Sequence, residues 1–154
     1  MAAAASDTTR VRVAAFIVLD GRVVLVRHRN RDSVYHLLPG GGVDYRETLA
    51  DALTREVREE TGLDVEIGAL LFVNDTIDPN GTRHVVNLTF AANVVGGHVT
   101  DSPDDSRIEA VDLVRPESLS DLDLRPPMAD ALEAHASGSE PYPVYLGSLF
   151  SEAR

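Results

Sequence analysis

Cysteine and tryptophan are both absent from this 154-residue chain, and its 14 basic residues are all arginine. Without cysteine it can form no disulfide, offers no thiol nucleophile and builds no zinc–thiolate centre; that composition agrees with a cytoplasmic location. Aromatic residues make up 5% against 44% apolar residues in total, so the core is expected to be aliphatic. No run of about 18 apolar residues occurs, so no membrane span is expected. The start, MAAAASDTTR, has neither the basic flank nor the apolar centre of a secretion signal. It reads as a disordered tail over residues 1–9, followed by one domain over 10–154. Asn87-Leu88-Thr89 matches a glycosylation acceptor only formally in such a chain. Positive charge is scarce too: 25 acids against 14 bases leave a net charge of −11. Long nucleic acids need a basic surface and are excluded as partners. A small anionic substrate would need cations gathered locally to reverse the sign of the field; otherwise the acidity serves solubility alone.

The acids are not spread evenly. Between Gly41 and Leu63 the chain reads GGVDYRETLADALTREVREETGL. Leu49, Leu53 and Val57 recur every fourth residue, as on one face of an amphipathic helix. At about 100° per residue, Glu56 and Glu60 fall roughly 20° to either side of Leu49, and Glu59 lies beside Ala52. The continuation of an apolar stripe is therefore carboxylate, whereas a solvated acidic face would lie opposite the leucines. Clustered inward acids repel one another and lose hydration, so a cation must compensate them. A divalent metal suits hard oxygen ligands at this spacing. Arg55, four residues before Glu59, is placed to hold that side chain. Thr48 is placed to cap the amide of Asp51, and Gly62 to end the helix in a left-handed conformation.

The same stretch fits G-x5-E-x7-R-E-U-x-E-E-x-G-U, where U is a bulky aliphatic residue. Gly41, Glu47, Arg55, Glu56, Val57, Glu59, Glu60, Gly62 and Leu63 fill every fixed position. This resembles the signature of the Nudix hydrolases. The resemblance implies an α+β fold, an α/β/α sandwich around a mixed, mostly antiparallel sheet. It implies metal-dependent hydrolysis of the phosphoanhydride in a nucleoside diphosphate linked to another group, with Mg2+ as cofactor and Mn2+ as the alternative. Glu56 and Glu60 become the first metal ligands, and Glu59 either binds metal or takes a proton from water. Glu47 joins from the preceding loop, and Gly40 or Gly41 contributes a carbonyl. Arg55 takes an orienting role.

Around this segment, Arg10 to Leu19 and Arg22 to Arg29 read as strands joined by a tight Asp20-Gly21 turn. Val34 to Leu38, Val65 to Val73, Thr82 to Val95 and Arg107 to Val114 read as further strands. Pro126 to Ala136 reads as a second amphipathic helix through Met128, Ala131, Leu132 and His135. The general base within the family is sometimes an acid from a later loop; Asp101, Asp104, Asp105 and Glu109 are the candidates, with a solvated loop as the alternative. Glu109 opens a Glu-Ala-Val-Asp-Leu segment that resembles one often supplying this acid. Arg27, Arg29 and Arg83 are candidates for holding substrate; Arg27 and Arg29 equally suit a charge-protected strand edge. Pro79, 16 residues beyond Leu63, resembles the proline placement of ADP-ribose-cleaving relatives. Tyr142 and Tyr145 suit either stacking on a base or packing the tail. A small nucleotide is the expected partner, and a homodimer is left open. Two other readings differ in kind. A non-catalytic sensor on the same fold commonly loses the metal-binding glutamates, all of which stand here. An isoprenoid-diphosphate isomerase of related fold uses a cysteine, and none stands here.

Overall fold

The computed structural model describes residues 8–139 and 142–151. Most of the expected tail lies outside them; Thr9, its last residue, has its hydroxyl 3.2 Å from His84 Nδ1. Strand β1 (Arg10–Leu19) turns through Asp20 and Gly21 into β2 (Arg22–Asn30). Both turn residues have positive φ, 52° and 76°, the handedness that matches the twist of the strands they join. Then follow β3 (Ser33–Leu37), β4 (Gly40–Gly42), helix α1 (Leu49–Thr61), β5 (Leu63–Ile77), β6 (His84–Gly97) and β7 (Ile108–Val114). A 3-10 turn (Pro116–Asp121), helix α2 (Ala129–Ala136) and β8 (Tyr145–Ser148) complete the order.

The sheet runs β3-β2-β1-β6-β5-β8, with β4 also on β1 and β7 also on β2. The β1–β6 and β5–β8 pairs are parallel and the remaining pairs antiparallel. Only Val18 and Leu19 of β1 pair with β2; earlier in the strand, Arg12 to Ala14 take β4 along the same edge, so the sheet splays there. Alternation along β1 divides the core. Val13, Ala15 and Ile17 pack beneath α1 with Ala52, Leu53 and Val57. Ala14 and Phe16 pack on the opposite face with Leu119, Met128, Ala131 and Leu132. An aliphatic α/β/α sandwich is the outcome, and full burial of residues such as Leu53 and Val57 stabilises it by roughly 1.5–3 kcal/mol each.

Three elements depart from the sequence reading. Leu49 is 38% exposed, so the buried stripe of α1 begins at Ala52 rather than one turn earlier. Helix α2 starts at Ala129, not Pro126, because a residue followed by proline is driven out of the helical region and Pro126 precedes Pro127. The glycine triplet forms a strand: a side chain at Gly40 would sit 2.0 Å from the Val13 carbonyl, so only glycine lets β4 approach β1 this closely. The glycosylation match has no outlet either, since Asn87 and Thr89 are both buried. No helix among the described residues is long and apolar enough to cross a membrane.

Candidate active site

Helix α1 begins where Thr48 accepts the Asp51 amide at 3.1 Å and ends at Gly62, with φ 79°. These caps fix the rotation that turns Glu60 inward, where it is buried at 4% exposure. Its Oε1 accepts the Gly40 amide at 2.7 Å. Burial pushes the Glu60 carboxyl up to about 7; the Gly40 amide and Arg12 oppose that shift, while Glu56 and Asp105 add to it. A carboxyl withdrawn from water among other carboxyls favours its neutral form unless a cation arrives.

Glu56 lies one turn earlier against Gly41. A side chain at Gly41 would fall within 2.4–2.6 Å of the Glu56 carboxyl, so this glycine keeps the carboxylate's place open. The flanking bonds from Ala15 N to Pro39 O (2.8 Å) and from Val43 N to Val11 O (3.1 Å) make Val13–Gly41 the hydrogen-bonded pair of that ladder. Gly41 thereby spends its carbonyl on β1. Gly40, out of phase by one residue, turns its amide to Glu60 and its carbonyl outward. Of the two glycines considered for a metal contact, the register favours Gly40.

Arg55 binds the cluster together. Its Nε and Nη2 donate to the two oxygens of Glu47 at 2.8 and 2.9 Å, and its Nη1 donates to Glu56 at 2.8 Å. Glu59, which the helical spacing offers as its partner, stands farther off at 3.6 Å. The loop bends back because Glu47 N bonds Asp44 O and Asp44 N bonds Glu47. Arg55, with that amide, holds the Glu47 carboxyl down to about 2. The reason for the difference is reach: a side chain from the loop approaches the guanidinium edge-on and bidentate, which an i,i+4 neighbour on the same helix does not.

The end of α1 recruits a further loop. A helix leaves its last carbonyls without intrahelical partners; here Glu59 O accepts from Asp104 N at 3.0 Å and Thr61 O from Thr100 N at 2.8 Å. Residues 100–107 are thereby laid along the helix end, and the Asp105 charge is felt at Glu60. Arg107 donates to both Asp105 oxygens, at 2.6 to 3.2 Å, and holds that carboxyl below its ordinary range. Of the four later acids considered, Asp105 is the one whose charge reaches the buried glutamate.

Glu109 stands elsewhere. A bulge between Arg27 and His28 shifts the β2–β7 register, and such a bulge re-aims the side chain of the extra residue. Glu109 consequently meets Arg29 at 2.7 Å and Arg27 at 3.3 Å. Leu25 belongs to the core face away from α1, and alternation puts Arg27 and Arg29 on that same side. The structure therefore gathers Glu56, Glu60, Glu59, Glu47, Arg55 and Gly40, and sets Glu109, Arg27 and Arg29 apart as an ion-paired cluster. Arg83 lies near enough to Arg12 to lower its pKa. Arg12 itself was not singled out by sequence; lone arginines in an alternating strand carry no signal. Tyr145 donates to Asp75 at 2.6 Å and pins β8 to β5, whereas Tyr142 lines an open groove beside α2.

The NUDIX domain profile matches residues 8–135. The chain belongs to the Nudix family. It is 34% identical over 104 residues to a Methanocaldococcus jannaschii protein named ADP-ribose pyrophosphatase, a match spanning 67% of this chain and 62% of that protein. Among solved structures, a MutT Nudix hydrolase from Burkholderia pseudomallei is 37% identical, with TM-score 0.60 and coverage of 71% of this chain and 85% of that one. A Nudix hydrolase from Nitrosomonas europaea shares the fold at TM-score 0.73 and 24% identity, over 87% of this chain and 93% of that one.

Proposed function

We propose that this Nudix chain is a divalent-cation-dependent hydrolase that cleaves the phosphoanhydride of a nucleoside diphosphate linked to another group. The observation that carries the reading is Glu60, a carboxyl buried on the inward face of α1 with Glu56 one turn away and glycine backbone opposite both. Among the described residues no three acidic or histidine side chains close on a common point. The donor set nevertheless suits a hard cation, since every available ligand is oxygen. Glu56, Glu60 and the Gly40 carbonyl would hold Mg2+, with Mn2+ as its substitute, and Glu59 stands at the exposed edge of the same set. When bound, that cation supplies charge neutralisation to the diphosphate and acidifies a water.

The chain's own residues do the remainder. Arg55 orients Glu56 and Glu47 and offsets the repulsion within the cluster. Asp105 takes the proton from water as its oxygen attacks one phosphorus; the bridging P–O bond breaks and its electrons leave with the other phosphate. Arg107 keeps Asp105 ionised and aimed. Asp105→Asn should therefore lower kcat by about 10²–10⁴-fold with little change in KM, the range expected on losing a general base. Glu109→Gln should leave kcat within a few-fold of wild type. The reverse ranking in steady-state assays would return the base to Glu109.

The substrate group is an ADP-ribose-like nucleotide, a nucleotide sugar or a nucleoside triphosphate; the named relative and the position of Pro79 put ADP-ribose first. The test is incubation with Mg2+ or Mn2+ and a panel of these compounds, reading products by mass, with Glu56→Gln as control. A glutamate-dependent product establishes the hydrolase and names the bond broken. Nucleotide binding with no product under either cation would leave a sensor on the same fold.

A further inference from the structure

Arg12 differs from most of the arginines around the site. Arg55, Arg107, Arg125, Arg27 and Arg29 each contact a carboxylate. The Arg12 guanidinium instead donates to the Leu38 carbonyl at 3.0 Å, and among the described residues no carboxylate stands within ion-pair distance of it. Burial is the largest influence on its pKa and lowers it; Glu60 and Glu56 pull it back through space, and Arg83 pushes it further down. A desolvated cation with no contacting anion is unfavourable, and a chain with 25 acids has partners in plenty. Arg12 also borders a slot over β1 and β6, lined by the apolar Leu38 and Met128, with Asn87, Thr89 and Arg125 as its other polar groups. Alternation puts Arg12 with Ala14 on the sheet face away from α1, and in register it faces Gly42, so the slot lies across the glycine strand from Glu56 and Glu60.

We propose that Arg12 is a phosphate-holding residue of this site: its guanidinium receives the phosphate of the substrate diphosphate that a cation on the carboxylate cluster would not hold. This rests on the hydrolase reading. With Arg27 and Arg29 committed to Glu109, Arg12 is, among the described residues, a cation that feels Glu60 and Glu56 through space and has no contacting acid. Arg83 adds a second positive charge at the approach. The compensation of Arg12 through space comes from Glu60 and Glu56. Any cation that neutralises those carboxylates withdraws that compensation, and an anion on Arg12 restores it. Cation and phosphate binding thus reinforce one another, each raising affinity for the other by the same factor.

The probe is methylenediphosphonate, a diphosphate mimic without base, sugar or hydrolysable bridge, titrated calorimetrically with Mg2+ present. Arg12→Met should weaken its binding at least tenfold and flatten the salt dependence, because one contacting charge is lost. Arg12→Lys should recover part of the affinity. Melted without ligand, Arg12→Met should be as stable as wild type or more so, since a cation with no contacting anion has been removed. Affinity within twofold of wild type, or no binding by wild type, overturns the assignment; so does a loss of stability and affinity together that lysine fails to recover. Hydrolysis of the nucleotide panel with Arg12-independent diphosphonate binding would remove this role and leave the hydrolase. Arg12-dependent binding in a protein that hydrolyses nothing would do the opposite.

Discussion

Glu60→Gln is expected to lower kcat/KM by roughly a thousandfold while making the cation-free protein more stable at neutral pH. On the proposed reading the loss follows from removing a charged ligand from a cation centre whose charge stabilisation would be worth several kcal/mol, about 4 kcal/mol for that factor. The gain follows from burial. The carboxyl is pushed from 4.5 up to about 7 in the folded chain, so between those values the folded state holds a proton that the unfolded state has released. Stability from this group is present below pH 4.5 and lost as pH rises through 7, by about 3 kcal/mol in all. Glutamine has nothing to release and keeps the oxygen that accepts the Gly40 amide. The two proteins should unfold alike near pH 4 and diverge by pH 8, with the variant ahead. Saturating Mg2+ should then raise the melting temperature of wild type alone, since on the proposed reading only the folded, intact acid cluster would hold the cation. Urea unfolding across pH 4–8, with and without Mg2+, reads all of this. A variant less stable than wild type at pH 8 without cation would show that Glu60 is not held at energetic cost.

That contradiction between local rule and position is what made the site readable. An acid at a leucine's place in an amphipathic stripe breaks the pattern in a way single-sequence reasoning detects, and both caps of α1 are local signals of the same kind. The hairpin at Asp20-Gly21 was legible for the same reason. What escaped depends on contacts remote in sequence. Glycines read as freedom, yet Gly40–Gly42 form a strand because β1 lies against them. Glu109 has an apt spacing, but a bulge visible only in the β2–β7 pairing turns it to the far face. Asp105 reaches Glu60 because the unpaired carbonyls at the end of α1 bind the following loop. Arg12 has no sequence neighbour to reveal that it lacks an anion.

Arg55→Ala tests the other half of the cluster, where charge is satisfied rather than stored. Removing the guanidinium leaves Glu47 and Glu56 without their 2.8–2.9 Å donors and is expected to destabilise the fold by about 2 kcal/mol, the scale of a lost charged hydrogen-bond pair. Cation affinity should fall by about 10- to 100-fold, because Arg55 orients a ligand without being one. Arg55→Lys should recover little, since a single ammonium cannot serve two carboxylates edge-on. The acid limb supplies an independent sign. Glu47 titrates at about 2 rather than 4.5 when Arg55 and the Asp44 amide hold it, so its stabilising contribution is present above pH 4.5 and lost as pH falls toward 2. In Arg55→Ala that limb should flatten, because folded and unfolded carboxyls then titrate closer together. An unchanged cation titration would place Arg55 on the solvated face of α1, and an unchanged acid limb would show that Glu47 is held by its loop alone. On the proposed reading Glu60 and Arg55 thus carry opposite signs: one is held at an energetic cost that a cation would offset, the other stabilises the fold and would stabilise the cation site at once.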